Sequence, residues 1–280
     1  MPPELKLHTP DETPDDGTAD PRRLAAEELI RPPGVPEPPR SSDRCLGPYS
    51  RAWYEELEHK RHAGTGHWLR RVLEVSRHPH DTLLMLGPGA GSDAAQYHRH
   101  GTDVTVCVTP LDPPDLARRG FAARGIPVPV LHAPTHARLP FAPDRFDLAY
   151  LNLLHHPPTD LSAAAAELYR VLKPGGKAFV LAPARYDADF WARTVLPVRK
   201  LFRPAPALSD APRHSARTLR AAFGQFTEPA ASKRHLRPAD MPPAWRFAPT
   251  WLAERLLGRV VVLKAFKPVS AAYAQAADAA

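Results

Sequence analysis

One stretch limits what this chain can fold into more than any other: Leu83–Gly91, LLMLGPGAG. A short apolar run ending in three alternate glycines, with Ser92 placed as a helix N-cap, predicts a strand turning directly into a helix. Glycines there let the backbone turn tightly and approach a ligand closely. The helix N-terminus adds unpaired N–H groups and positive partial charge. The third glycine comes one residue earlier than in the dinucleotide pattern G-x-G-x-x-G, so the loop alone marks only a general nucleotide-type cradle.

The sequence after it continues in the same style. Strands are predicted at Thr82–Leu86, Val104–Val108, Val128–Leu131, Leu148–Leu151 and Lys177–Leu181, with helices near Ser92–His100, Pro114–Arg124 and Leu161–Leu172. Short apolar strands alternating with helices of ten to fifteen residues predict βαβ units and a parallel sheet covered on both faces. Ligands of such sheets sit beyond the carboxyl ends of the strands, where the strand order switches. Upstream, Tyr49–Arg77 predicts two amphipathic helices split by Gly64-Thr65-Gly66. Downstream, helices are predicted at Phe190–Phe202, Ser215–Phe223 and Pro249–Leu257, with strands at Phe226–Lys233 and Val260–Phe266. Pro174-Gly175-Gly176 reads as a turn into the fifth strand.

Two later segments stand at fixed distances from the loop: LPFAPDRFDLAYLNLLHH (Leu139–His156) and ELYRVLKPGGKAFVLAP (Glu167–Pro183). With LGPGAG they make the chain resemble the class I S-adenosylmethionine (SAM)-dependent methyltransferases. The resemblance is to the broad branch that contains the ubiquinone and menaquinone C-methyltransferases, and it covers roughly Thr82–Pro183. It implies an α/β, doubly wound, seven-stranded and mostly parallel Rossmann-like sheet whose last strand is antiparallel, which suits Val260–Phe266. It also implies N-terminal helices, a C-terminal extension and SAM as cofactor. The expected organisation is a tail at 1–40, a helical cap at 41–80, a methyltransferase-like core at 81–183 and a basic part completing the sheet at 184–280.

The family typically holds its cofactor with three acidic side chains, and at the matching positions this chain has none. The first-strand acid falls on Met85, the acid ending the second strand on Val108 with Thr109 next, and the acid before the LPF segment on Thr135. A hydrogen bond to a charged group contributes on the order of 1.5–3 kcal/mol, so the loss of all three is a large one. The candidate cofactor residues are therefore Gly87, Gly89, Gly91, Val108, Thr109, Thr135 and Asn152. Asp93 joins them as a carboxylate placed to approach the methionine ammonium, or else as a first-turn acid complementing the helix dipole. His155 and His156 close the fourth strand, where a histidine could serve as general base or simply fix the loop. Two function classes follow. One is methyl transfer to a small molecule, resting mainly on proximity; the other is an inactive methyltransferase fold kept as a binding or scaffold module. A third reading keeps SAM as a structural cofactor for other chemistry.

Composition narrows the setting. Residues 1–40 hold ten of the 35 prolines and a charge of 5 − 9 = −4, which predicts a disordered acidic tail with at most a marginal helix at Pro21–Ile30. The tail has no apolar targeting segment, and no run is long enough to span a membrane. Cys45 and Cys107 give neither a disulfide framework nor a metal-ligand set, and Pro134 between His132 and His136 argues against a zinc site. A reduced cytoplasm is expected. Residues 176–280 carry 17 Lys/Arg against 7 Asp/Glu, an excess of +10 that would draw an anionic partner if it is more than a solvated surface. Lys233, Arg234, His235 and Arg237 are its densest group. No nucleic-acid module or interleaved aromatics accompany them. Pro249–Leu257, flanked by Trp245, Trp251, Arg255 and Arg259, is expected to pack over the sheet rather than lie on a membrane face.

Overall fold

The computed structural model describes residues 49–62, 67–112, 115–154, 158–188, 190–191, 212–235 and 249–269. The acidic tail, the helix expected at Pro21–Ile30, His155, His156, Arg237, Trp245 and all but two residues of the helix expected at Phe190–Phe202 lie outside the described residues.

Seven strands form one sheet in the order β3-β2-β1-β4-β5-β7-β6. They are β1 (Thr82–Leu86), β2 (Asp103–Val108), β3 (Val130–His132), β4 (Phe146–Asn152), β5 (Leu172–Pro183), β6 (Thr227–Arg234) and β7 (Val260–Phe266). Neighbours from β3 to β5 run parallel, whereas β7 is antiparallel to both β5 and β6. The expected architecture is therefore the observed one. Leu83, Leu84, Met85 and Leu86 are all fully buried, as the continuous apolar run of a strand covered on both faces requires. Their side chains divide between two cores by alternation: Leu84 and Leu86 pack into one, Leu83 and Met85 into the other.

Helices supply those covers. α1 (Arg51–His62), α2 (His67–Val72), α3 (Ser92–Arg99) and α4 (Leu116–Arg124) precede β3, while α5 (Leu161–Val171), α6 (Ala216–Ala222) and α7 (Thr250–Leu257) follow β4. α7 buries Ala253 and Leu257 and leaves Trp251 64% exposed, so only one face packs on the fold. Its neighbour β6 uses the basic cluster internally. Lys233 Nζ donates to the Leu256 carbonyl at 3.1 Å, and Arg234 pairs with Glu254 at 2.9 Å.

Two of the boundaries that differ from the sequence expectation have a clear physical reason. β3 begins at Val130 rather than Val128, because Pro129 has no N–H to give the ladder. The Pro174-Gly175-Gly176 turn lies inside β5: Leu172 pairs with Phe146 and Lys177 with Leu148, so the turn bulges out between two paired stretches.

Glu74, just before β1, ties the front of the domain to the sheet through Lys177 at 2.7 Å and Lys264 at 2.6 Å. Partial burial alone would raise its pKa, but the two ammonium groups outweigh it and hold the carboxyl at about 2. The folded value lies below the ordinary one, so this stabilisation is complete above the ordinary carboxylate range and lost as pH falls through about 2. Urea midpoints should accordingly fall on acidification through this window. Glu74→Gln should be less stable at neutral pH and show a flatter profile.

Candidate functional site

The chain leaves β1, crosses outward to β2 and β3, then returns to the other side of β1 as β4. The switch in strand order thus lies between β1 and β4, and the glycine loop stands at its carboxyl end. All three loop glycines have positive φ, at 68°, 54° and 77° for Gly87, Gly89 and Gly91. At Gly87 a methyl group would overlap the carbonyl oxygen of Asn152, the last residue of β4. At Gly91 it would stand 2.6 Å from the Phe121 ring. Both positions therefore demand glycine on two counts, conformation and space.

Gly91, not Ser92, caps α3, and no side chain bonds the helix's first N–H groups. Ser92 is the first helical residue, and its hydroxyl is buried without a hydrogen-bond partner. The reason is that Gly91 adopts the left-handed conformation at the cap, which no serine would take readily. Arg124 supports the loop from below. Its Nη2 donates to the Ala90 carbonyl at 2.8 Å and its Nε to the Gly120 carbonyl at 2.9 Å.

Asp93 is fully enclosed in a charged cluster with α1. Arg61 donates through Nε to Oδ1 and through Nη2 to Oδ2, both at 2.7 Å. Tyr150 of β4 donates its hydroxyl to Oδ2 at 2.8 Å, and His62 Nε2 lies 3.0 Å from Oδ1. Burial would raise the Asp93 pKa, yet Arg61 and His62 drive it well below the carboxylate range. Those four contacts occupy the lone-pair directions of the carboxylate, leaving none for a ligand's ammonium. Asp93 thus serves to dock α1 on the loop, and the expectation of a ligand contact gives way to this one.

The other residues singled out in the sequence divide between core and rim. Met85 is wholly inside the sheet core and Val108 nearly so. Thr135 is exposed and sits in a turn, its hydroxyl accepting from Ala137 N–H at 3.2 Å. Asn152 is buried at the switch point, and its Oδ1 accepts from Leu154 N–H at 3.1 Å. Thr109 is buried too, and it leads to a residue that position-by-position matching passes over. Asp112 folds back on the end of β2, its Oδ2 accepting from Thr109 N–H at 2.7 Å and from Thr109 Oγ1 at 3.0 Å. Asp112 is 7% exposed, and its Oδ1 has no hydrogen-bond partner. The carboxyl end of β2 therefore does carry an acid, four residues past the expected place. Next to it Leu111 stands 50% exposed.

Buried polar atoms without partners are uncommon, and each calls for an explanation. Here two of them, Ser92 Oγ and Asp112 Oδ1, stand beyond the ends of adjacent strands β1 and β2. A helix N-terminus with unfilled N–H groups, a carboxylate oxygen and an exposed leucine make a composite that fits an amino-acid-bearing nucleoside. Such a ligand offers a carboxylate, a vicinal diol and a flat apolar base to those three features in turn.

Comparison with known proteins finds methyltransferases. The family model described as a methyltransferase domain matches residues 83–176. A demethylmenaquinone methyltransferase of Streptomyces avermitilis is 28% identical over 213 residues, 72% of this chain and 84% of the relative. One from Thermus thermophilus is 34% identical over 117 residues, 41% of this chain and 53% of the relative, so the match spans about half that protein's length. Among solved structures, the geranyl diphosphate C-methyltransferase of Streptomyces coelicolor superposes with a TM-score of 0.51 at 17% identity, covering 85% of this chain and 87% of its own. That likeness speaks for the fold alone.

Proposed function

We propose that this chain, whose residues 83–176 match a methyltransferase-domain model, is a class I SAM-dependent methyltransferase of the ubiquinone/menaquinone C-methyltransferase-like branch and transfers a methyl group from SAM to a small molecule. The observation that carries the reading is the pair of buried, partnerless oxygens flanking the glycine loop, Ser92 Oγ and Asp112 Oδ1. Leaving such groups unmatched costs about 1–3 kcal/mol each, a cost that a bound ligand removes. The three-acid deficit that motivates an inactive fold is also smaller than it looks, because Asp112 restores a carboxylate beside β2.

In this reading the loop from Gly87 to Gly91 and the first N–H groups of α3 hold the methionine end, with Ser92 Oγ beside them. Asp112 Oδ1 accepts from the ribose hydroxyls, and Leu111 covers one face of the adenine. SAM, when bound, supplies a methyl group on a sulfonium, already activated toward a nucleophile. What the chain adds is position. Asn152, pinned by Leu154 at the end of β4, borders the acceptor's side of the cleft, and His155 and His156 follow it in sequence. The chain's part would be to hold the acceptor's nucleophilic atom toward that methyl group, with a histidine or water taking the proton the acceptor gives up. Holding the two reactants in line is a sufficient source of acceleration, without a dedicated catalytic group.

Isothermal titration calorimetry with SAM and with S-adenosylhomocysteine tests this directly. Dissociation constants in the micromolar range are expected. No binding at millimolar ligand would remove the methyl-transfer reading.

A further inference from the structure

At the far end of α3 from the glycine loop, α1, α2 and α3 enclose a cleft of about 410 Å³. Glu58, His59, His62, Arg70, Gln96 and Arg99 line it. The geometry points to a second ligand site here, for a small multivalent oxyanion of the phosphate type. Nothing in the methyl-transfer reading uses these residues as ligand contacts.

The charge arrangement carries the inference. Two carboxylates line the cleft, Glu55 and Glu58, and both are engaged. Glu55 pairs with Arg51 at 2.7 Å, and Glu58 accepts from the buried Arg124 at 2.9 Å and from the Gln96 amide. Arg99 also reaches Glu58, through both terminal nitrogens, but its side chain stays 45% exposed on the cleft. Arg70 has no carboxylate partner among the described residues. Counting their partners, Glu55 and Glu58 face four guanidinium groups, those of Arg51, Arg70, Arg99 and Arg124, so positive charge is in excess.

His62 supplies a second, independent indication. It is 4% exposed, lines the same cleft, and its Nδ1 has no hydrogen-bond partner. A buried ring nitrogen without a partner, in a residue lining the same cleft as Arg70 and Arg99, is a group that an oxyanion could satisfy. Guanidinium forks suit the paired oxygens of phosphate, and imidazole supplies a further donor. The exposed His59 adds another at the mouth.

Inorganic pyrophosphate is the probe, titrated calorimetrically into the full chain at constant ionic strength. The wild-type chain is expected to bind it with submillimolar affinity. Arg70→Ala, a substitution at a residue with no ion-pair partner among the described residues, should weaken binding about ten- to a hundredfold without changing the melting temperature. Binding should persist in the presence of saturating S-adenosylhomocysteine. Undiminished binding by Arg70→Ala, or displacement by S-adenosylhomocysteine, would place the ion elsewhere and overturn the assignment; so would no binding by the wild type. The Arg70 comparison needs no SAM and stands or falls apart from the methyl-transfer reading.

Discussion

With Arg61 replaced by methionine, the protein is expected to lose about 3–5 kcal/mol of folding free energy, measured by urea denaturation at neutral pH. Arg61 and Asp93 have side chains 1% and 4% exposed, and they meet in a bidentate pair. Removing the guanidinium leaves a buried carboxylate with only a phenol and an imidazole beside it. That penalty reflects an abandoned charge rather than the net worth of the pair. The double variant Arg61→Met with Asp93→Leu should therefore recover most of the loss, since apolar replacement of a whole buried pair is often neutral.

The pH dependence separates this account from simple loss of packing. In the wild-type protein the Asp93 pKa is held below its unfolded value, so acidification removes stability. In Arg61→Met, burial is no longer opposed by the guanidinium, the folded pKa rises above the unfolded one, and protonation becomes favourable. The gap between the two proteins should thus narrow as pH falls below the carboxylate range. A gap that stays constant with pH would argue for a packing defect alone. Function is involved as well, because Asp93 is the second residue of α3 and its docking on α1 steadies the loop that precedes it.

Most of the frame is legible in the sequence because it depends on local patterns. Runs such as Leu83–Leu86 and Val260–Leu263 announce buried strands, and Gly87, Gly89 and Gly91 announce a turn that only they can make. Such signals need no partner elsewhere in the chain. The site is harder to read, since its chemistry depends on where side chains return in space. Arg61 and Asp93 are 32 residues apart, and Glu58 and Arg124 are 66 apart; neither pairing has a spacing signature. Asp93 illustrates the difficulty, for its position past the loop suits a ligand contact and an internal pair equally well. Asp112 fails in another way. The segment Thr109-Pro110-Leu111 displaces the acid along the chain, and the fold-back onto Thr109 restores it to the strand end. Matching positions by sequence alone therefore records a missing carboxylate where the structure has one.

Asp112→Asn should weaken binding of SAM about ten- to a hundredfold, the range set by losing a charged hydrogen-bond acceptor. Asparagine keeps one carbonyl oxygen for Thr109 N–H and Oγ1, so the β2 end should hold its shape. Stability should change by less than about 1 kcal/mol. The direction of even that small change is informative: a buried carboxylate oxygen without a partner is costly in the ligand-free protein, and neutralising it can stabilise the fold while binding suffers. S-adenosylhomocysteine should lose affinity by the same factor, because it shares the ribose with SAM and differs only at the sulfur. An effect confined to SAM would mean that Asp112 senses the sulfonium charge instead of the diol. Unchanged affinity for both ligands would detach Asp112 from the cofactor and leave its partnerless oxygen to some other ligand.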